Sequence, residues 1–213
     1  MAHPLLSPLA EAGVIATLRA PSPAAAHAAV GALLRGGVRA IEITYTTPHA
    51  GAVIADLAAR YGEEILLGAG TLTTPDQVRE ASDAGAAFLV SPGYDADVVE
   101  AVLATRRLSM IGGFTPTEVM RLARIGVDVV KLFPGSLGGP GLLRALRGPF
   151  PDLDYIPTGG VSDTNLAAWL EAGALAVGAG SELIPRDALA RGDLEQITEQ
   201  ARRFVRAFAA VRN

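Results

Sequence analysis

The chain has 213 residues and a net charge of −4, with 50% of residues hydrophobic and 19% charged. That suits one large domain or two small ones around a sizeable core, and without a basic run nothing points to nucleic acid or an anionic membrane surface as a partner. The absence of cysteine excludes disulfides, thiol catalysis and thiolate metal sites.

The segment Met1 to Ala12 holds Pro4 and Pro8 and no basic n-region, so it does not read as a signal peptide or a membrane span. A cytoplasmic protein is expected. From Gly13 onward short apolar runs alternate with Ala/Leu-rich helical stretches every 20 to 30 residues or so, the mark of parallel βα units. The first strand is predicted over Gly13 to Arg19, with a helix from about Ser22 to Leu34. The second runs from Ala40 to Thr44, with a helix from about Thr47 to Tyr61. Ile65 to Thr71 is the third, with a helix to about Ala84. Phe88 to Ser91 is the fourth, with a helix near Ala96 to Thr105. Ser109 to Gly112 is the fifth, with a helix to Arg124. The sixth, around Val127 to Leu132, precedes a helix near Gly141 to Leu146. Asp154 to Pro157 is the seventh, with a helix from Asp163 to Ala172. Leu175 to Gly178 is the eighth, and a long helix closes the chain from about Leu194 to Val211.

Four helix starts share one device. Ser22-Pro23, Thr47-Pro48, Thr74-Pro75 and Thr115-Pro116 each set a capping hydroxyl before a proline at the first helical position. Thr74 with Gln77 and Thr115 with Glu118 also have capping-box spacing. One device used repeatedly, with no linker, predicts a single α/β domain over residues 1–213: a (β/α)8 TIM barrel with an N-terminal extension and a long C-terminal helix. The alternative is a doubly wound open sheet, although no Gly-x-Gly-x-x-Gly turn follows the first strand.

Of the 18 lysine and arginine residues, only Lys131 is lysine, and it lies inside an apolar strand. Arginine stays protonated in proteins, whereas a desolvated lysine can present a neutral amine. The competing reading is a strand-end lysine reaching for water. Glu42, between Ile41 and Ile43, should point into the barrel with Thr44 while the isoleucines face the helices. Strands two and six lie opposite each other, so Glu42 and Lys131 can share a cavity, either as a structural ion pair or as reacting groups. An amine nucleophile beside a carboxyl acid/base fits Schiff-base lyase chemistry on a keto compound. His3, His27 and His49 are scattered and do not suggest a metal site, no cofactor is expected, and no Gly-x-Ser-x-Gly is present for a hydrolase.

Thr158-Gly159-Gly160 follows the seventh strand and Gly178-Ala179-Gly180-Ser181 the eighth, where a barrel offers backbone N–H groups to a phosphate. Arg19, ending the first strand, offers a fork to a carboxylate or phosphate, or is a solvated surface residue. Phe114, Phe133 and Trp169 read as lining or packing residues. Tyr45 and Thr46 have no assigned role.

In order, Ile41-Glu42-Ile43-Thr44, Gly68-Ala69-Gly70-Thr71, Ser91-Pro92-Gly93, Lys131-Leu132-Phe133-Pro134, Pro157-Thr158-Gly159-Gly160-Val161 and Gly178-Ala179-Gly180-Ser181 resemble the 2-keto-3-deoxy-6-phosphogluconate aldolase family. That family also covers 4-hydroxy-2-oxoglutarate aldolases and a phosphogalactonate branch, and the likeness spans Gly13 to about Pro185. The resemblance implies a class I aldolase, usually a homotrimer, acting on a small keto acid. It implies Lys131 as Schiff-base lysine and Glu42 as general acid/base. Thr71, Pro92 and Phe133 would line the pyruvate half, Thr158 would lie near the substrate carboxylate, and Gly159, Gly160, Gly180 and Ser181 would cradle phosphate. Many phosphogluconate members carry arginine four residues after the glutamate, where this chain has Thr46; Arg19 resembles an arginine used by other members. The same chemistry on the hydroxyoxoglutarate or phosphogalactonate substrate is an alternative. Two others are an isomerase, epimerase or synthase on a phosphate-binding barrel, and a non-catalytic binding protein.

Overall fold

The structure, a computed structural model, describes residues 2–212. Eight strands form one sheet: β1 Val14–Leu18, β2 Ala40–Thr44, β3 Leu66–Gly70, β4 Phe88–Ser91, β5 Leu108–Gly113, β6 Val129–Leu132, β7 Asp154–Pro157 and β8 Val177–Ala179. Each pairs in parallel with its neighbours in the order β7-β6-β5-β4-β3-β2-β1-β8. A parallel bridge between Thr158 and Gly178 joins the two end strands and closes a (β/α)8 TIM barrel. The open doubly wound sheet is thereby excluded.

The connecting helices are α2 Pro23–Arg35, α3 Ala50–Tyr61, α4 Pro75–Asp83, α5 Ala96–Ala104, α6 Pro116–Ile125, α7 Gly135–Arg147 and α8 Leu166–Glu171, with α10 Leu194–Arg212 in the outer ring beside α2. Two short helices were not anticipated, α1 Leu6–Ala12 and α9 Arg186–Arg191. Thr198 on α10 donates to the Ala32 carbonyl of α2 at 3.1 Å, so the last helix seals the seam beside β1. No helix among the described residues is long and apolar enough to cross a membrane.

Alternation along the strands divides the apolar residues into two cores. Val14, Ala16, Leu18, Ile41, Ile43, Val130 and Leu132 face outward and pack under the helices, with Trp169 buried among them as expected. Ile15, Ala40, Phe88, Val90, Met110, Val129 and Ile156 fill the barrel itself. Leu9 of α1 joins this inner cluster, fully buried, and Leu5, Leu6 and Ala12 pack around it. The N-terminal extension is therefore a plug across the end of the barrel where the strands begin.

Three of the four hydroxyl–proline starts cap as expected, with Ser22, Thr74 and Thr115 accepting from Ala25, Gln77 and Glu118 backbone N–H groups. Thr47 does not. Its hydroxyl accepts from the Ala20 N–H at 3.1 Å and its own N–H donates to the Thr44 carbonyl at 2.9 Å. Thr47 thus ties β2 to β1, and α3 begins later, at Ala50, after His49 in a left-handed conformation. At α4 the box is only half formed, because the Gln77 side chain accepts from the Thr73 N–H. Helix α8 starts later than expected because Asn165 accepts from the Ser162 N–H and donates to the Gly160 carbonyl, holding the preceding loop. Helix α7 is two segments broken at Gly139, and only the second was anticipated.

At Thr115 the capping box is complete: the Glu118 carboxylate accepts from the Thr115 hydroxyl at 2.7 Å and from the Thr115 and Phe114 N–H groups at 2.8 and 3.2 Å. The Thr115 hydroxyl and backbone bonds hold the Glu118 carboxyl below its ordinary pKa, so its stabilising contribution is present above that ordinary value and fades as pH falls through the lowered one. Thr115→Ala should lower stability by about 1 kcal/mol at neutral pH. Urea titration of both proteins at neutral and acidic pH should show that difference narrowing in acid.

Candidate active site

The inward residues above the apolar floor are polar. On β2 the next inward residue after Ala40 is Glu42, and on β6 the next after Val129 is Lys131. Both side chains are about 2–3% exposed, and the Lys131 Nζ stands 4.0 Å from the Glu42 Oε1. This is the expected meeting across the barrel. Thr17, the inward residue of β1 in register with Glu42, donates its hydroxyl to Glu42 Oε2 at 3.2 Å. Oε1 has no hydrogen-bond partner among the described residues. One carboxylate oxygen is thus held, while the other faces the amine with its lone pairs free.

The glutamate fits because β3 has no side chain opposite it. A Cβ at Gly70 would lie 1.7 Å from Glu42 Oε1. Thr71 follows at the end of β3 with φ 58°, a left-handed value that is an outlier for a β-branched residue. Such strain costs about 1–3 kcal/mol and concentrates at functional sites. Pro92 is placed by a similar close approach: a Cβ at Gly112, in register with Lys131, would lie 2.0 Å from the Pro92 carbonyl oxygen. The loop after β4 therefore presses on β5 beside the lysine strand. Phe133 has its ring centroid 5.2 Å from the Lys131 Nζ, within cation–π reach.

Phe133 also lines a cleft of about 80 Å³ with Thr17, Arg19, Thr158, Gly159, Gly160, Gly180 and Ser181. The aromatic ring is thus the contact between the buried pair and the open end of the barrel. Gly159 and Gly160 take φ of 96° and 73°, which the turn after β7 requires. Thr158 is held by its N–H to the Leu132 carbonyl at 3.0 Å, and its own carbonyl accepts from Gly135 at 2.8 Å. The guanidinium of Arg19 lies over Gly180, with Nη1 3.8 Å from where a Cβ would be. Of the residues anticipated from sequence, Arg19, Phe133, Thr158, Gly159, Gly160, Gly180 and Ser181 share this cleft, Glu42 and Lys131 meet inside the barrel, and Thr71 and Pro92 follow β3 and β4 outside the cleft lining.

Two neighbours were not anticipated. Thr17 could have been found from alternation, since it sits two residues before Arg19. Arg186, the first residue of α9, reaches a recess shared with Thr17, Arg19, Gly180 and Ser181, and no local pattern marked it. Tyr45, left open above, packs against the outer core. Burial, with the Glu80 carboxylate beside it, raises its phenol well above the ordinary range, so it stays neutral and away from the chemistry. Thr46 donates to or accepts from Thr44 at 2.7 Å and borders Arg19 and Arg186.

The family model for KDPG and KHG aldolase matches residues 6–200. A 2-dehydro-3-deoxy-phosphogluconate aldolase of Treponema pallidum is 37% identical over 168 residues, covering 78% of this chain and 80% of that one. A 2-dehydro-3-deoxy-6-phosphogalactonate aldolase of Escherichia coli is 33% identical over 196 residues, covering 92% and 94%. Among solved structures, the KDPG aldolase of Legionella pneumophila, with pyruvate captured as a covalent carbinolamine, superposes with a TM-score of 0.85 at 30% identity, covering 92% of this chain and 96% of that one.

A buried carboxylate that loses its partner charge is strongly destabilising. Lys131→Met should lower stability by about 3–5 kcal/mol. Adding Glu42→Gln should recover a large part of that loss in urea titrations; equal stability of the single variant and wild type would show that the pair is not desolvated.

Proposed function

The chain belongs to the KDPG and KHG aldolase family, and on that premise we propose that it is a class I aldolase cleaving 2-keto-3-deoxy-6-phosphogluconate to pyruvate and glyceraldehyde 3-phosphate. One observation carries the reading most directly: a buried amine 4.0 Å from a carboxylate oxygen that has no hydrogen-bond partner among the described residues. Apolar packing on the barrel floor beneath the pair keeps the amine from bulk water, and the neutral amine is the nucleophilic form.

In this mechanism the Lys131 amine adds to the C2 ketone, and loss of water from the carbinolamine gives an iminium. Glu42 Oε1 accepts the C4 hydroxyl proton. The C3–C4 bond breaks, its electron pair passing into the iminium, so that the aldehyde departs and an enamine of pyruvate stays on Lys131. Glu42 returns a proton to C3 of the enamine, and water attacks the resulting iminium to release pyruvate. The Thr17 hydroxyl on Oε2 keeps the carboxylate aimed at the amine. Thr71, Pro92 and Phe133 form the walls of the pyruvate half. Thr158 lies by the substrate carboxylate, and Gly159, Gly160, Gly180 and Ser181 hold the phosphate. Arg19 adds positive charge at that end. The same reading makes residues 1–213 one working domain, assembled as a homotrimer in the cytoplasm, without a cofactor.

The single lysine makes the test clean. Pyruvate with borohydride should add one adduct per chain, located on Lys131 by mass spectrometry; an unmodified Lys131 sinks the mechanism. Lys131→Arg should abolish pyruvate release, by at least a thousandfold or so, while circular dichroism stays native, because arginine keeps the charge and loses the nucleophile. Pyruvate release compared across the phosphogluconate, phosphogalactonate and hydroxyoxoglutarate substrates should favour the first, and preference for the unphosphorylated compound would overturn the phosphate assignment.

A further inference from the structure

We propose that Arg186 determines specificity in this enzyme: with Arg19 it forms a two-guanidinium grip on the doubly charged phosphate at the far end of the substrate. The inference rests on the aldolase reading above and adds a residue to it. Arg186 lines two adjoining recesses at the mouth. The smaller, about 50 Å³, is shared with Thr17, Arg19, Gly180 and Ser181. The wider, about 350 Å³, is shared with Arg19 and Thr46. Two arginines from distant parts of the sequence thus converge on one hollow.

What sets them apart from the other arginines is that two guanidinium groups without a counter-charge line the same hollow. Arg79, Arg202, Arg203 and Arg206 each pair with a carboxylate, and Arg147 donates to the carbonyls of Pro151, Leu153 and Gly173. Among the described residues neither Arg19 nor Arg186 takes part in an ion pair or a side-chain hydrogen bond. Glu182 borders the cleft and Asp187 follows Arg186, yet neither pairs with the two guanidinium groups. Two unneutralised cations facing one hollow repel each other until an anion enters between them.

The donor count selects the anion. Each guanidinium presents five N–H donors in a rigid fork. One fork saturates the two oxygens of a carboxylate, whereas a phosphate monoester has three terminal oxygens and nearly two charges to share between two forks and the Ser181 hydroxyl. The location agrees: Phe133, whose ring is 5.2 Å from the Lys131 Nζ, lines with Thr158 a cleft that also holds Arg19, Gly180 and Ser181, so a substrate bound covalently to the amine can direct its distal end here. Thr46, short and tied to Thr44, leaves room for Arg186 to reach in.

The test is steady-state pyruvate release by the full chain carrying Arg186→Gln, with 2-keto-3-deoxy-6-phosphogluconate and with its unphosphorylated analogue. Arg19, Ser181 and Arg186 are exposed, and for a charge-assisted contact at such a site the ratio of kcat/KM values, phosphorylated over unphosphorylated, should fall about tenfold, mainly through KM, and by less at high salt. Arg186→Lys should recover part of the ratio, and Arg144→Gln, which removes the same charge from the last turn of α7, should leave it as in wild type. Calorimetry with inorganic phosphate should show a matching loss of affinity in Arg186→Gln. An unchanged ratio, or a KM raised equally for both substrates, overturns the proposal. Failure of the aldolase reading would appear separately, as absence of pyruvate release by the wild type, while phosphate affinity would still decide the role of Arg186.

Discussion

Everything at the mouth of this barrel is arranged around one electrostatic constraint: a lysine and a glutamate, both almost fully buried, face each other across it at 4.0 Å. Neither charge would be tolerated alone at that depth. Together they are tolerated but not optimised, because 4.0 Å is too long for a hydrogen bond and Oε1 stays unsatisfied. A structural ion pair would close that gap. The open geometry, with Thr17 holding only the other oxygen, leaves both groups free to react.

The rest of the interior makes the pair possible. Gly70 gives the carboxylate room, and the Pro92 carbonyl lies against Gly112 beside the lysine strand. Beneath them Phe88, Met110, Val129 and Ile156 form an apolar floor. The barrel thus has a gradient along its axis, apolar where the strands begin and polar where they end. Alternation generates that gradient: the same inward positions that carry Ala40 and Val129 low on β2 and β6 carry Glu42 and Lys131 one step higher.

This gradient is why so much could be read from sequence. Strand periodicity placed Glu42 inward and its isoleucine neighbours outward, and the lone lysine marked the opposite strand. Serine or threonine before proline marked helix starts correctly where the hydroxyl was free to cap, at Ser22, Thr74 and Thr115. It misled at Thr47, where a backbone N–H from another strand claimed the hydroxyl, a tertiary contact invisible to local pattern. Arg186 escaped for a related reason. Its helix is six residues long, too short for periodicity to register, and its significance lies wholly in its approach to Arg19, a residue far away in the chain.

The packed interior beneath the site has a kinetic meaning. Phe88, Val90, Met110, Val129 and Ile156 fill the barrel above Leu9, so reactants and products pass through the mouth at the strand ends. In the proposed reaction the aldehyde fragment lies outermost, against the arginines, while the pyruvate fragment remains covalently bound to the floor-side amine. Departure is then ordered by position: the phosphorylated aldehyde clears the passage first, and pyruvate follows after hydrolysis. In the condensing direction the same queue reverses, so pyruvate enters first and the aldehyde is second. A filled interior and a covalent bond at its upper edge thus impose, in the proposed reaction, a compulsory sequence of arrivals and departures.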